Sequence, residues 1–205
     1  GRRIGRYELA EEIGRGAYGI IHRARDGEIG REVALKLLRT DSPSETDRIR
    51  FFREARLAAR LRHPHIVHVF DAGTCEGRPY LAMELLEGES LSARISRGPI
   101  PPEEARSIAL TLARALGEAH RQGIVHRDLN PSNIILTSRG PVLTDFGIAR
   151  DPSEVGRLTE TGEILGTPTY MAPEMVSGHG READGRIDLY ALGVILYEMV
   201  AGHPP

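Results

Sequence analysis

Apolar and polar residues alternate in short runs through the first 87 residues, a pattern typical of β-strands that bury one face. Residues with high turn preference separate these runs. The predicted strands cover residues 7–9, 20–24, 32–38 and 80–86. One segment, residues 45–61, has helical spacing instead, and Ser44 is suited to cap its N-terminus. This part of the chain is therefore predicted to be a strand-rich lobe with one main helix.

From residue 88 onwards the apolar residues recur mainly at helical spacing. Residues 102–122 predict an amphipathic helix that starts at prolines and stops at Gly123. Residues 189–201 predict a second, buried helix, too short for a bilayer span of ~20 residues. Short strand-like runs lie between the two helices, at residues 123–125, 134–136 and 142–143. The sequence thus predicts an α+β protein with lobes at residues 1–87 and 88–205.

Composition narrows the function classes. The 205 residues include 27 basic and 29 acidic side chains, which excludes the basic surface of a nucleic-acid-binding protein and a polybasic membrane anchor. An apolar fraction of 40% is sufficient for a buried core. The single cysteine, Cys75, excludes an internal disulfide and fits a reducing compartment. The first residues lack the apolar core of a signal peptide.

Lysine is used only once in this chain. Of the 27 basic residues, 26 are arginine and one is Lys36. Lys36 falls inside the strand-like run 33–38, where a charge is unfavourable and therefore indicates a functional role. Because a compact ammonium and a planar guanidinium bind differently, this position is predicted to need the ammonium.

A glycine-rich motif, Gly14-x-Gly16-x-x-Gly19, precedes that strand. Such a motif allows the backbone to lie close over phosphates and to donate amide hydrogen bonds. A dinucleotide-binding turn is the alternative, but it should open a helix. Here an alternating strand containing Ile21 follows and leads to Lys36, which favours a phosphate-covering loop.

A second motif joins Asp128 to Asn133, and Asp145 follows shortly after. Asn133 and Asp145 supply the oxygen ligands that a hard divalent cation prefers, and Asp128 is left for proton transfer. Both carboxylates are predicted to lie at strand ends facing a cleft. The arrangement indicates a site for a phosphate-bearing ligand and a metal.

These motifs match protein-kinase signatures: His-Arg-Asp-Leu-x-x-x-Asn at residues 126–133 and Asp-Phe-Gly at residues 145–147. Over about residues 6–205 the chain resembles a serine/threonine protein kinase of the bacterial type. The resemblance implies a two-lobed protein-kinase-like fold, and transfer of the ATP γ-phosphate to protein Ser/Thr hydroxyls. The implied cofactors are ATP and Mg²⁺, with Mn²⁺ as an alternative metal. It also implies that the family's final helices lie outside this sequence, so we expect the isolated chain to be poorly stable.

The resemblance implies a nucleotide site in detail. Lys36 would contact the phosphates, held by an ion pair with Glu54. A surface Glu54 paired with Arg50 or Arg53 of its own helix is the alternative. Main-chain groups of Glu84 and Leu86 would bind the adenine edge. Apolar side chains would surround the base: Ile13, Ile21, Ala34, Met83 and Ile135.

The resemblance also assigns roles around the catalytic loop. Thr167 would hydrogen-bond near Asp128, and Asp188 would accept hydrogen bonds from the catalytic-loop backbone. Arg127 would pair with a phosphate on the loop at residues 148–174. The candidate phosphorylation sites in that loop are Thr159 and Thr161, with Ser153 a poorer one.

One residue departs from the family pattern. Asn130 stands where the family has a lysine that steadies the transferred phosphate. By analogy with the loss of one preorganised donor, turnover is expected to fall by roughly 10²- to 10³-fold and to rise again in Asn130→Lys. A pseudokinase, binding ATP and regulating a partner with little or no transfer, is therefore the alternative function.

The remaining expectations concern partners and metal ligands. Similar bacterial kinases dimerise through the strand-rich lobe, which implies a homodimer for trans-autophosphorylation. We expect no nucleic-acid partner and no membrane contact by this segment, with a cytoplasmic location, including as the cytoplasmic domain of a longer membrane-anchored protein. The histidines at residues 63–68 lack a second ligand cluster and are predicted to be turn and strand residues, not zinc ligands.

Overall fold

The chain divides into two compact units. The structure, a computed structural model, describes residues 2–16, 19–38, 44–146, 168–176 and 184–205, apart from the side chains of Glu54 and Pro168. The first unit comprises Gly1–Arg62 and Val67–Leu86, and the second comprises His63–Ile66 and Glu87–Pro205. The division after Leu86 lies one residue before the lobe boundary that the sequence predicts.

The N-terminal unit is a six-stranded antiparallel sheet with one helix. The strands are Arg3–Ile4 (β1), Tyr7–Arg15 (β2), Gly19–Asp26 (β3), Glu32–Leu38 (β4), Val69–Cys75 (β5) and Arg78–Met83 (β6), in the order β1-β2-β3-β4-β6-β5. Helix α1, Glu45–Ala58, ends three residues before the predicted end. The reason is that Leu61 N donates to Ala58 O, a three-residue turn that closes the helix.

Strand β4 alternates between two buried faces of this unit. Val33, Leu35 and Leu37 pack into a core with Tyr7 of β2. Residues of the opposite face contact α1, as when Leu38 packs against the cluster built on Phe51. The period of two along a strand therefore places Lys36 on the α1 side of the sheet.

Ser44 caps α1 as predicted. Its hydroxyl accepts a hydrogen bond from Asp47 N at 3.1 Å, and the Asp47 carboxylate accepts one from Ser44 N at 3.1 Å. This reciprocal capping box satisfies two main-chain donors that the first helical turn leaves unpaired. It fixes where α1 begins.

The C-terminal unit is mainly helical. The helices within its described residues are Leu91–Ile95 (α2), Pro102–Arg121 (α3), Pro173–Val176 (α4) and Arg186–Ala201 (α5), with 3₁₀ turns at Pro131–Asn133 and Pro168–Tyr170. Strands Gly88–Ser90 (β7), Ile134–Thr137 (β8) and Gly140–Leu143 (β9) form a second antiparallel sheet. Helix α3 buries Leu112 and Leu116 completely, and the predicted amphipathic helix is confirmed.

Helix α5 is present where the sequence predicts it, but it is not buried all round. Ile195 and Met199 are fully buried, whereas Tyr190 and Tyr197 are 45% and 47% exposed. Apolar residues occur on every side of this segment, so the periodicity of the sequence could not indicate an exposed face. In the structure, the described neighbours cover only one face. No helix in the described part of the chain is long and apolar enough to cross a bilayer.

The strand predicted at residues 123–125 is absent. Gly123 has a φ of 71°, and Ile124 N donates to Ala119 O at 2.9 Å, which closes the end of α3. The N–H groups of Gly123 and Ile124 close the helix end, so they do not donate to a sheet partner. Asp128 consequently lies in a loop, whereas Asp145 follows β9 closely, as predicted.

The histidine-rich segment forms a turn and a single parallel bridge, Ile66 to Leu143. A His65 ring nitrogen lies 2.8 Å from Pro141 O, so this ring ties the turn to β9. Among the residues that the structure describes, no group of three or more His, Cys, Asp or Glu could hold a metal ion.

Candidate active site

The glycine-rich motif joins β2 to β3 by a close main-chain approach. Gly16 N donates to Gly19 O at 2.9 Å, and Gly14 lies opposite Ile21 in the sheet register. A Cβ on Gly16 would meet nothing within 4 Å, so space lies open beside its backbone. The apolar residue Ile13, which directly precedes Gly14, is 46% exposed. These features leave main-chain groups accessible for a phosphate and an apolar surface accessible for a base.

Gly19 is the glycine that packing requires. A Cβ at this position would lie 2.8 Å from Leu37 O and 3.3 Å from Cγ of Lys36. Because the first contact is to backbone, it could be relieved only by moving β3 away from β4. The absence of a side chain at Gly19 thus keeps the chain close to Lys36.

We expect Gly19→Ala to separate β3 from β4 next to Lys36. The predicted loss is about 1–3 kcal/mol of unfolding free energy, with weaker ATP binding, because inserted volume in a packed site forces backbone shifts. Urea unfolding and equilibrium nucleotide titration measure the two effects. Gly16→Ala is the matched control and should cost less than about 1 kcal/mol, since its Cβ meets no neighbour. Equal losses in the two variants would contradict the packing argument.

Lys36 occupies the centre of the sheet. It is half-buried and lies opposite Ile21 on one side and Leu81 on the other. Ala34, two residues earlier on the same face, lies opposite Met83. The ammonium is therefore carried by a strand that both neighbours hold in register. The side chain of Glu54, its predicted partner, lies outside the described residues.

The segment after β6 carries the predicted base-binding main chain. Met83 is buried, and Glu84 N donates to His68 O at 2.8 Å. Strand β6 ends at Met83, three residues before the predicted end, and this hydrogen bond continues its pairing by one residue. The proposed main-chain contact from Glu84 to a base must therefore use its carbonyl. Leu86 follows in irregular structure, and Ile135 lies on β8 of the other unit.

His126, the histidine of the catalytic loop, has a structural role. His126 is completely buried, stacks at 4.5 Å on Phe146 and has its Nε2 3.0 Å from Thr144 O. Asp128 N donates to its Nδ1 at 3.3 Å. Because Nδ1 accepts from Asp128 N, Nε2 is the ring nitrogen that donates to Thr144 O. His126 thereby links the loop carrying Asp128 to the segment carrying Asp145.

Asp188 of α5 holds the same loop, as predicted. Its carboxylate accepts hydrogen bonds from His126 N at 2.8 Å and from Arg127 N at 2.9 Å, and it is 1% exposed. Arg127 has a φ of 65°, a conformation that costs a non-glycine residue energy and is kept only when neighbours impose it. The carboxylate supplies that constraint.

His120 of α3 also contacts Asp188, and sequence reasoning missed it. Its Nε2 lies 2.7 Å from Asp188 Oδ2. A Cβ on Gly185 would lie 2.5 Å from the His120 ring, so a glycine is needed where α5 begins. The His-x₅-His spacing from His120 to His126 was the available sequence signal, but it does not indicate a shared carboxylate.

The predicted metal ligands lie on adjoining segments. Asn133 O accepts hydrogen bonds from Thr144 N at 2.9 Å and from Thr144 Oγ1 at 3.2 Å, which places Asn133 beside the residue preceding Asp145. Asn133 Nδ2 donates to Asp128 O at 2.8 Å and lies 3.4 Å from Asp128 Oδ2. Its amide nitrogen faces Asp128, so the oxygen is the end suited to a cation. Amide and carboxylate oxygens fit Mg²⁺ or Mn²⁺.

Asn130 is engaged within the loop itself. Its Nδ2 donates to Asp128 O at 3.0 Å, and its Oδ1 accepts from Ser132 N at 3.0 Å. The residue is the N-cap of the 3₁₀ turn Pro131–Asn133. The amide that the sequence offers as a donor to phosphate therefore donates to the backbone in this structure.

The described end of the loop at residues 148–174 is anchored on α5. Tyr170 donates to Glu198 Oε2 at 2.7 Å, a contact that sequence reasoning missed. Burial, together with this hydrogen bond to a carboxylate, raises the pKa of Tyr170 above its ordinary value. Several predicted residues lie outside the described part of the chain: Gly147, Ser153, Thr159, Thr161 and Thr167.

Comparison with known proteins assigns the family. Residues 7–205 match the model of the protein kinase domain, and the chain belongs to that family. Within it, the similar curated proteins are bacterial serine/threonine kinases, and the chain is of this bacterial type. The expected two-lobed α+β kinase fold is confirmed by the solved structures it resembles.

Three relatives illustrate the similarity. The DNA damage-responsive serine/threonine-protein kinase RqkA of Deinococcus radiodurans is 45% identical, over 98% of this chain and 30% of its own length. Serine/threonine-protein kinase PknB of Mycobacterium leprae is 40% identical, over 98% of this chain and 33% of its own length. The crystal structure of the Mycobacterium tuberculosis PknI kinase domain has a TM-score of 0.79 and 34% identity, covering 100% of this chain and 78% of that one. The chain spans about a third of the length of the curated relatives.

Proposed function

We propose that this chain is the catalytic domain of an ATP-dependent serine/threonine protein kinase. The observation that carries the proposal is the arrangement around Asp128, whose carbonyl and carboxylate both face the Asn133 amide. Asn133 in turn is bonded through its carbonyl to Thr144, the residue before Asp145. The proposed proton acceptor and the two proposed oxygen ligands for a cation therefore belong to the same unit. Family membership supports the same reaction.

Each residue has a distinct task in the proposed reaction. Asp128 orients the substrate Ser or Thr hydroxyl and accepts its proton as the oxygen bonds to the γ-phosphorus of ATP and the bond to ADP breaks. Asn133 and Asp145 would hold Mg²⁺, or Mn²⁺ in its place, which supplies charge neutralisation at the phosphates. On the other unit, Lys36 binds phosphate and is oriented by Glu54.

The remaining nucleotide contacts are assigned by position. Gly14, Gly16 and Gly19 let the main chain lie close over the phosphates. The carbonyl of Glu84 and the amide of Leu86 bind the edge of the base. Apolar contacts with the base come from Ile13, Ile21, Ala34, Met83 and Ile135.

A pseudokinase is the second candidate, and a specific observation favours it. Asn130 carries no charge, and its amide is bonded to main-chain groups at 3.0 Å on both sides. Position 130 therefore offers the transferred phosphate no positive charge. Such a protein would bind ATP and act by changing the conformation of a partner.

Further parts of the proposal concern regulation. Thr159 and Thr161 would be autophosphorylated in trans within a homodimer, Arg127 would bind the resulting phosphate, and Thr167 would orient the substrate near Asp128. Protein Ser/Thr hydroxyls are the proposed substrates.

Phosphate transfer from γ-labelled ATP with Mg²⁺ tests the two candidates, and Lys36→Arg is the informative variant. Because the guanidinium keeps the charge but not the compact shape, we expect at least a ~10²-fold lower transfer rate with a smaller change in ATP affinity. If the native protein transfers label to itself or to a generic substrate and Lys36→Arg does not, the kinase function is supported. ATP binding without label in the native protein would make it a pseudokinase.

A further inference from the structure

We propose that Asn130 is a positioning residue whose side chain clamps the catalytic loop, and that it is not a weakened substitute for a phosphate-binding lysine. The inference rests on the proposed kinase function, and it identifies what this residue does there. Asn130 acts through Asp128 and through the 3₁₀ turn that carries Asn133. No contact from Asn130 to the transferred phosphate is part of the proposal.

The hydrogen-bonding pattern determines the orientation of the Asn130 amide. Ser132 N is a donor, so Oδ1 must face it, and Asp128 O is an acceptor, so Nδ2 must face it. Both distances are 3.0 Å. Exchanging the amide nitrogen and oxygen would oppose donor to donor and acceptor to acceptor. The amide therefore spans the loop from residue 128 to residue 132 in one orientation only.

This bridge needs a donor and an acceptor at the end of one short side chain. Lysine could donate to Asp128 O but could not accept from Ser132 N. Aspartate could accept from Ser132 N but would face Asp128 O with a second acceptor. Serine could cap the turn from its hydroxyl, without the planar fork that reaches both groups. An asparagine at this position is suited to the bridge.

The bridge also couples Asp128 to the predicted metal ligand. Asp128 O accepts one hydrogen bond from Asn130 and a second from Asn133, at 2.8 Å. A carbonyl has two lone pairs, so the two amides together satisfy it. Asp188 holds His126 N and Arg127 N on the preceding side. The loop is thus fixed both before and after the Asp128 side chain.

The clamp makes a prediction opposite to the one drawn from the family pattern. Asn130→Lys would add charge but remove the cap of the turn that positions Asn133. Losing one or two hydrogen bonds of this kind costs about a factor of 10 in the population of the ordered loop. We therefore expect Asn130→Lys to have a kcat at or below that of the native protein.

Steady-state kinetics on the purified protein test the clamp with four variants: Asn130→Lys, Asn130→Asp, Asn130→Ser and Asn130→Ala. In Asn130→Ala we expect kcat to fall about 10-fold with KM for ATP changed less than about 2-fold, because the loop and not the nucleotide contact is lost. Asn130→Ser and Asn130→Asp, which keep an acceptor for Ser132 N, should fall between Ala and native. A rise of ~10-fold or more in Asn130→Lys would overturn the proposal.

A second readout needs neither ATP nor turnover. Hydrogen exchange at the Ser132 amide, followed by NMR, should be about 10-fold faster in Asn130→Ala and Asn130→Lys than in native protein. In Asn130→Ser it should be slower than in Asn130→Ala and Asn130→Lys. Exchange unchanged by Asn130→Ala would overturn the clamp even if the kinase is active. If the native protein transfers no phosphate but exchange responds as expected, the clamp stands and the kinase function fails.

Discussion

Asp128→Asn is expected to lower the rate of phosphate transfer by about 10³-fold while leaving the fold intact. Loss of a positioned proton acceptor typically costs 10²–10⁴-fold. The loop should survive, since Asn130 and Asn133 hold the Asp128 main-chain carbonyl, which the substitution keeps. The substitution alters the 3.4 Å contact between Asn133 Nδ2 and Asp128 Oδ2. Transfer of γ-labelled phosphate to a Ser/Thr substrate measures the effect, and ATP titration should show nearly native affinity.

Glu103→Gln provides a matched control for the loss of one carboxylate. Glu103 lies 85% exposed on α3 and pairs only with Arg106 of its own helix among the described residues. Transfer in this variant should equal that of the native protein. If Asp128→Asn retains more than about a tenth of native transfer, Asp128 is not the proton acceptor.

Asp188→Ala is expected to have the largest effect on stability, about 2–5 kcal/mol of unfolding free energy. The substitution leaves two main-chain donors, His126 N and Arg127 N, without their acceptor in a site where Asp188 is 1% exposed. Each buried donor left unpaired costs roughly 1–3 kcal/mol. The positive φ of Arg127 also loses its constraint. Urea unfolding followed by circular dichroism measures the change.

Asp184→Ala serves as the comparison for Asp188→Ala. Asp184 precedes the same helix but is 58% exposed and pairs with Arg186 at 3.0 Å. An exposed pair of this kind contributes little to stability because solvent screens it. Asp188→Asn should lose less than Asp188→Ala, because an amide oxygen can still accept one of the two bonds. A loss in Asp188→Ala no greater than in Asp184→Ala would contradict the structural role of Asp188.

Local sequence patterns were sufficient for the elements whose residues supply their own signal. The alternation along β4 placed Lys36 on one face, and the spacing in α3 identified the side that is buried. Ser44 indicated the start of α1, because its capping hydrogen bonds are confined to four consecutive residues. In each case the interacting groups are close in the chain, so propensity and period are informative.

Patterns were insufficient where distant groups compete for the backbone. The apolar run at residues 123–125 was predicted to be a strand, but Gly123 N and Ile124 N donate to α3. The next residue, His126, donates to Asp188, which is more than 60 residues away in the chain. The exposed face of α5 was likewise not indicated by a segment whose apolar residues lie on every side. His120 gave no local sign that it would reach a carboxylate of another helix.

The sequence by itself determined the family. It also indicated the candidate site residues through motifs in a fixed order: a glycine-rich loop, one lysine, and Asp128, Asn133 and Asp145. Only the tertiary structure decided what Asn130 contacts and how Asp188 holds the catalytic loop. The physical reason is that a side chain's type is written in the chain, whereas its hydrogen-bond partners depend on which groups folding brings within about 3 Å. Asn130 illustrates the difference, since the sequence shows a missing charge and the structure shows a bridge.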